Sequence, residues 1–424
     1  MAESLSIGLR GGTAVARVDA AGFVHRDGRK IGRRSTELGW WVAADDRWHD
    51  PREEPSRRQR LVDGTPVVET KIAVPGGDVV QRAFMVADHG GCVVMEISNE
   101  SAAAVVVAVP TSGLSTDAAA APSEPRGIEL PRDVRVFPLA HRSTVRFAWA
   151  PSRGAGGGVD ALAGAAQVVR GWLAASERAS RVSIDAQLLV AARSRLLLAT
   201  SGEVDDLLQL DAARGVLAIA ERVRMGEPAA PHVEQIADAV RRLLRKSNAR
   251  WASRALVMAA RTLAIANEPL ASSDVAAAWA GVVAGGTLGA SDTSNAVETG
   301  GAVDTASAVT TVALTEDALV RAASAHAAEL FATGIAASWR GINFEAHGVP
   351  AGPQHTVSLA GRTPHCCGKS TAHPVCNCAH RASMLRLWAA ANEVRPCCEW
   401  GRNGATGADA RDRAVAAWRR LRCR

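Results

Sequence analysis

In the first 150 residues, apolar and polar positions alternate over short runs that are separated by turn-forming residues. The pattern is clearest over Val67–Val109, where Val68, Thr70, Ile72 and Val74 fall on one face and the residues between them on the other. Turns rich in Gly, Asn and Asp separate the runs, and such residues accept the backbone angles of tight hairpins. The pattern predicts four consecutive antiparallel strands here and a β-sandwich domain over residues 1–150.

Other alternating runs predict strands at Ala14–Val18, Glu37–Val42, Val134–Pro138 and Thr144–Ala150. A glycine-rich stretch at 151–158 is predicted to be a flexible linker. From 159 to 284 the apolar period changes to three or four residues, which indicates five or six antiparallel helices. Within that range we expect Ser183 to cap the start of one helix and Gly202 to end it.

A second helix is predicted over 233–244, where arginines lie beside an apolar face. Residues 285–307 are rich in small polar types and predict a loop. Residues 308–360 predict a helix, Glu316–Phe331 with Thr315 as its cap, followed by β segments. The predicted fold class is therefore α+β and multidomain: an antiparallel β-sandwich, an antiparallel α-helical domain and a short C-terminal β segment.

The composition points to an intracellular protein without a membrane partner. No apolar run approaches the roughly 20 residues that span a bilayer. The first ten residues lack the basic and apolar regions of a secretory signal. These features predict a cytoplasmic location, in which disulfides are not expected.

Charge and cysteine are concentrated in residues 361–424. That segment carries 12 Lys and Arg against 4 Asp and Glu, so the net charge of +6 leaves −2 for the preceding residues. A basic surface for nucleic acid would therefore have to lie in the tail, and we do not expect the body to bind nucleic acid. Seven of the eight cysteines also lie in the tail.

Three interpretations of the tail are open. A zinc site with nucleic-acid contact could use only Cys376, Cys378, His373 and His380, because adjacent cysteine pairs direct their sulfur atoms apart. Translating the codons of Pro364–Pro374 from one base earlier permits Ala-Leu-Leu-Trp-Glu-Val-Asp-Gly-Ala-Pro, a strand followed by an Asp-Gly turn. This match favours an out-of-frame tail over the zinc site, and a disordered basic tail is the third interpretation. We therefore predict no metal and no cofactor.

Two tracts combine tryptophan with carboxylate, histidine and arginine side chains near glycine turns. One is Gly39–Asp50 and the other is Ser338–Gly348. Indole faces stack on sugar rings, and charged side chains bond sugar hydroxyl groups, so this combination is typical of a carbohydrate site. The candidate ligand-binding residues are Trp48, His49, Trp339, Arg340 and His347.

Hydrolysis of a glycosidic bond would need a pair of carboxylates, for which Asp46, Glu69 and Glu345 are the candidates. Sequence spacing does not place these three in space. The structural interpretation is also open: the tryptophans would then belong to the core, and the charged groups would form surface pairs.

The segments Pro66–Asp78 and Ser338–Pro353 resemble a family of uncharacterised proteins from high-GC bacteria. The resemblance covers most of residues 1–360 and stops where the tail begins. The order of domains is similar to that of glucoamylase- and debranching-type carbohydrate enzymes, although those enzymes close a ring of about a dozen helices. Two hypotheses follow: a carbohydrate-active or carbohydrate-binding protein, and a non-catalytic structural or interaction protein.

Overall fold

The computed structural model describes residues 4–12, 15–26, 37–110, 113–121, 134–149, 158–176, 181–183, 186–245, 251–284, 304–322, 343–350, 356–362 and 386–388. By its internal contacts the chain divides into two compact units. The first comprises Met1–Ala174 with Leu197–Thr200, and the second comprises Ala175–Leu196 with Ser201–Arg424. The mixed architecture confirms the predicted α+β class, with antiparallel sheets first and helices after them.

In its described residues, the first unit contains three antiparallel sheets. In chain order its strands are β1 (Leu5–Gly8), β2 (Val15–Val18), β3 (Val24–Arg26), β4 (Glu37–Leu38), β5 (Trp41–Ala43), β6 (Trp48–His49), β7 (Arg58–Leu61), β8 (Val68–Val74), β9 (Gly77–Val86), β10 (Cys92–Asn99), β11 (Val105–Pro110), β12 (Leu114–Ser115), β13 (Val134–Leu139) and β14 (Thr144–Trp149). The first sheet has the order β1-β2-β3-β4, the second β12-β14-β10-β9-β8-β7, and the third β13-β11-β5-β6.

One apolar cluster lies between these sheets and uses the inward-facing residues of all three. Val68, Ile72 and Val74 come from β8, as their alternation predicts, and Trp40, Trp41 and their neighbours join them. Phe23 packs edge-on against Trp41, with ring centroids 5.4 Å apart. The alternation of buried and exposed positions therefore places one face of each strand in a shared core.

The prediction of four consecutive paired strands was wrong for the last strand. Strands β8, β9 and β10 are neighbours in the second sheet, but β11 pairs with β13 and β5 in the third. Asn99, which is fully buried, redirects the chain: its Nδ2 donates to the carbonyls of Ala103 (2.7 Å) and Leu139 (3.1 Å). Its Oδ1 accepts from the Ser101 N–H at 2.9 Å. These hydrogen bonds between a side chain and the backbone compete with the backbone hydrogen bonds of a hairpin, so the chain leaves the second sheet after β10.

The outer face of the second sheet is also partly buried. Helix α1 (Ala165–Ser176) and a 3-10 turn at Val159–Ala161 precede the helical region, and Val159, Leu162 and Val169 pack on this face. Phe84 and Val94 supply the sheet side of this second cluster. Residues 151–157 of the predicted linker lie outside the described residues.

The second unit is mainly helical. Its elements are β15 (Arg181–Ser183), α2 (Ala186–Leu198), α3 (Ser201–Leu210), α4 (Ala212–Arg224), α5 (Val233–Arg245), α6 (Ala252–Ile265), α7 (Pro269–Ala284) and α8 (Thr305–Ala322), then β16 (Asn343–Pro350), β17 (Thr356–Arg362) and β18 (Arg386–Trp388). Helix α4 is central, because it contacts α3, α5, α6 and α8. Asp211 caps its start by accepting from the N–H groups of Ala213 and Arg214.

Three local predictions for this unit need correction. Ser183 does not cap a helix but ends β15, and Gly202 lies inside α3 instead of ending α2. Thr315 lies inside α8, which begins ten residues earlier than its predicted cap. The predicted β segment is confirmed as β16 and β17, and a strand on either side completes the sheet β15-β16-β17-β18. Part of the tail, β18, therefore pairs in this sheet.

Close packing of α3 on α4 gives a stability prediction. An added Cβ at Gly215 would lie 2.5 Å from Cδ2 and 2.6 Å from Cα of Leu208. Because the second atom belongs to the backbone, Gly215→Ala is expected to lower the free energy of unfolding by about 1–3 kcal/mol. Urea denaturation followed by circular dichroism measures the change.

The matched control for this prediction is Gly171→Ala on α1, where an added Cβ meets nothing within 4 Å. The control is expected to be neutral or to stabilise the helix by up to about 1 kcal/mol, since alanine is the better helix former. Equal effects of the two substitutions would contradict the role of close helix packing.

Within the ranges described, no helix combines the length and the apolar character needed to cross a membrane.

Candidate functional site

The hairpin formed by β5 and β6 brings together three of the predicted site residues. Asp46 lies in its exposed turn, and Trp48 and His49 form β6, which pairs with β5 through Val42 and Ala43. The single strand predicted over Glu37–Val42 is divided, because β4 ends at Leu38 and β5 begins at Trp41, and the two strands belong to different sheets. The hairpin is therefore the candidate ligand-binding site of the first unit.

His49 is the most constrained side chain of the hairpin. Its ring is buried, with Nδ1 2.9 Å from Oε1 of Glu54 and Nε2 3.0 Å from Oδ1 of Asp46. Ionised carboxylates only accept, so both ring nitrogens can donate at once only in the imidazolium form. Arg47 completes the network with Nη1 2.7 Å from Oε1 of Glu54. Glu54 was not among the predicted residues because it lies beyond the tract, and the turn after Asp50 brings it back to His49.

The network sets the charge of the hairpin turn. The hydrogen bond from His49 holds the pKa of Asp46 below its ordinary value, against a smaller opposing effect of burial. The Asp46 side chain is 42% exposed, whereas His49 and Glu54 are nearly inaccessible. Asp46 therefore presents an ionised carboxylate to solvent, while His49 is enclosed and holds that carboxylate in position.

The tryptophans of this tract have two different environments. Trp40 is fully buried, and its Nε1 donates to the carbonyl of Ala21 at 3.0 Å. Trp41 is also in the core, and its Nε1 donates to Oδ2 of Asp50 at 3.3 Å. Trp48 is half-buried and packs against the edge of the core, next to the exposed turn. Within the tract, only Trp48 has an indole that is partly accessible to a ligand.

Glu69 does not join this hairpin. It lies on β8 in the second sheet, where it is 2% exposed and is surrounded by cations. Arg60 Nε bonds Oε1 at 2.9 Å, Arg82 Nε bonds Oε2 at 2.9 Å, and Lys71 Nζ is 3.9 Å from Oε1. Both of its oxygens are therefore occupied by protein donors.

Glu69 belongs to a row of alternating charges that crosses five strands. The strand register places Arg60, Glu69, Arg82, Glu96 and Arg146 directly opposite one another in that order. Opposite charges on facing positions stabilise neighbouring strands. We name these five residues the charge row, and its regular register identifies Glu69 as part of the sheet's structure.

The charge row ends beneath the start of α1. Arg146 Nη2 lies 2.8 Å from Oε1 of Glu96, and the same oxygen accepts the N–H of Ala165 at 3.3 Å. Arg146 also donates to the carbonyl of Leu162 at 3.2 Å. A carboxylate at a helix N-terminus is favourable, so the row also fixes where α1 begins.

The remaining predicted site residues have no described side chains. Glu345 and His347 lie on β16, next to β15 and β17, and only their backbone is described. Trp339, Arg340 and the four tail residues proposed for zinc, Cys376, Cys378, His373 and His380, lie outside the described residues. Among the side chains that are described, no group of three or more His, Cys, Asp or Glu is arranged to hold a metal ion.

Comparison with known proteins gives no relative: no family model, no curated protein and no solved structure matches this chain.

Proposed function

We propose that this protein binds carbohydrate and that the hairpin of β5 and β6 forms part of its binding surface. The observation that carries the proposal is the half-buried indole of Trp48 beside the exposed carboxylate of Asp46 and the exposed guanidinium of Arg47. An indole edge supplies an apolar face for a sugar ring, and the two charged groups supply hydrogen bonds to its hydroxyl groups.

The rigidity of the turn supports the same proposal. Asp46 and Arg47 are both tied to the buried pair His49 and Glu54, so their positions are fixed before any ligand arrives. A preformed polar surface loses less entropy when it binds. The order of a β-sandwich followed by helices is consistent with a carbohydrate-binding role, and the resemblance to uncharacterised proteins of high-GC bacteria remains part of the proposal. The cytoplasm is the proposed location.

A non-catalytic structural or interaction protein is the second candidate. The burial of Trp40 and Trp41 favours it, because these indoles serve the core. The enclosure of Glu69 by cations favours it as well, since that carboxylate is not open to a substrate. We therefore propose binding, without assigning hydrolysis.

Glycan-array binding by the full chain, followed by titration calorimetry with any glycan that binds, tests the proposal. Trp48→Ala is expected to weaken the binding about tenfold or more, because stacking on an aromatic side chain is lost. Asp46→Asn keeps the shape of the turn and is expected to weaken binding less.

Trp172→Phe is the control, since Trp172 is buried on α1 and does not belong to the hairpin. It is expected to leave glycan affinity unchanged. Circular dichroism establishes that each variant is folded. A folded wild-type chain that binds no glycan would overturn the proposal and leave the interaction protein as the better hypothesis.

A further inference from the structure

A polar groove of about 710 Å³ lies between α3 and α5 in the second unit. The residues that line it are Asp205, Leu208, Gln209, Gln235, Asp238, Arg241, Arg242 and Arg245. Its volume is within the range of small-molecule sites, about 300–1,000 Å³. Seven of its eight lining side chains are polar or charged, so an apolar ligand would not be recognised there.

The amphipathic pattern of α5 explains how the arginines reach the groove. Ile236, Ala239, Val240 and Leu243 are buried on one face of this helix. The groove residues Gln235, Asp238, Arg242 and Arg245 recur at intervals of three or four and so share another face. Helix α3 lies alongside this second face, so its side chains form one wall of the groove.

Two hydrogen bonds between the helices set the shape of the groove. Gln235 Nε2 donates to Oδ1 of Asp205 at 2.7 Å, and Arg242 Nη1 donates to Oε1 of Gln209 at 3.3 Å. Gln235 and Arg242 are separated by seven residues of α5, which corresponds to about 10 Å along the helix. The acidic Asp205 and the basic Arg242 are thus placed at opposite ends.

The basic end of the groove has charge that its neighbours do not neutralise. Arg241 is paired with Asp238 at 3.0 Å. Arg242 bonds only the neutral amide of Gln209, and neither it nor Arg245 forms an ion pair with any residue in the described ranges. The Nε of Arg242 is also shielded from solvent and lacks an acceptor there. A buried donor without an acceptor is costly, so this guanidinium keeps hydrogen-bonding capacity that its neighbours do not use.

We propose that this groove binds a small phosphorylated molecule. Its phosphate would lie between Arg242 and Arg245, whose planar guanidinium groups match the oxygens of a phosphate. The polar body of the molecule would extend towards the carboxylate of Asp205, which accepts hydrogen bonds from hydroxyl groups, and the amide of Gln235, which can also donate them. The groove belongs to the second unit and uses no residue of the hairpin.

Titration calorimetry of the full chain at low ionic strength tests the proposal, with glycerol 3-phosphate, pyrophosphate and neutral glycerol as probes. Saturable binding of the two phosphates, but not of glycerol, is expected. Arg242→Gln and Arg245→Gln are each expected to weaken glycerol 3-phosphate binding about tenfold or more, because each removes a charge-assisted contact. Added salt is expected to weaken binding by screening.

The control is Arg135→Gln, which removes an equal charge from an exposed position on β13. It is expected to leave the affinity unchanged. If Arg242→Gln does not fold, the exposed Arg245→Gln decides the test, with circular dichroism as the folding check. No saturable phosphate binding, or equal losses in Arg135→Gln and Arg245→Gln, would overturn the proposal. Tighter binding of a single-stranded oligonucleotide through the same arginines would overturn it too.

Discussion

Trp40→Ala is expected to lower the free energy of unfolding of the β-sheet unit by about 3–5 kcal/mol, the range for truncating a buried aromatic side chain. Trp40 is fully buried in the cluster between the sheets, and its Nε1 donates to the Ala21 carbonyl. Truncation removes the apolar contact, leaves a cavity and leaves that carbonyl without its donor. Urea denaturation monitored by far-ultraviolet circular dichroism measures the loss.

Trp48→Ala is the matched comparison for this prediction, because Trp48 belongs to the same tract but is only half-buried. Its effect on stability is expected to be clearly smaller, while its effect on glycan binding is expected to be the larger of the two. If Trp48→Ala destabilised the fold as much as Trp40→Ala, both tryptophans would belong to the core, and the proposed binding surface would lose its aromatic member.

Glu69→Gln is expected to lower the free energy of unfolding by about 1–3 kcal/mol, the cost of leaving charged hydrogen-bond donors without their partner. The substitution preserves shape but removes the charge that faces Arg60 and Arg82. Removing one member of a fully buried ion pair costs about 3–5 kcal/mol. The smaller figure applies here because both arginines keep part of their contact with water.

The same substitution is expected to change how stability depends on pH. Burial would raise the pKa of Glu69, but the hydrogen bonds from Arg60 and Arg82 together outweigh it and hold the pKa below its ordinary value of 4.5. The ionised carboxylate therefore stabilises the fold above that value, and this stabilisation is lost as pH falls through the lower pKa of the folded state. Glu69→Gln should have a flatter stability profile over that acidic range.

Glu100→Gln is the control for both measurements. Glu100 contacts Lys71 at 3.3 Å but is 45% exposed, so its ion pair is expected to contribute no more than about 1 kcal/mol. Equal losses in the two variants, or an unchanged pH profile in Glu69→Gln, would show that the charge row does not stabilise the sheet.

The regular elements were predictable because their signal is local. The alternation in β8 and the helical period over 233–244 match the observed strand and helix. Ser183 and Thr315 were misassigned as helix caps. Serine and threonine can cap a helix, but they also occur inside strands and helices where tertiary contacts favour those elements. The pairing of β11 was misassigned because buried Asn99 bonds the carbonyl of Leu139, 40 residues away along the chain, and no periodic pattern reports that contact.

The candidate hairpin was only half predictable. Asp46 and His49 are three residues apart, so their contact follows from a tight turn. The contact of His49 with Glu54 depends on the turn that follows Asp50, which the sequence pattern did not indicate. The burial of Trp40 and the partial exposure of Trp48 depend on how the sheets pack. The tryptophan-rich tract therefore indicated where chemistry was concentrated, without showing which of its side chains a ligand could reach.

The sequence by itself determined the α+β class, most strands of the first unit, the position of helix α5 and the concentration of basic charge and cysteine in residues 361–424. These properties depend on composition and on short-range periodicity. Only the tertiary structure decided that Glu69 lies in a row of charges, and that the arginines of α5 line a groove together with residues of α3. Both results depend on strand register and helix packing, which bring together residues that are distant along the chain.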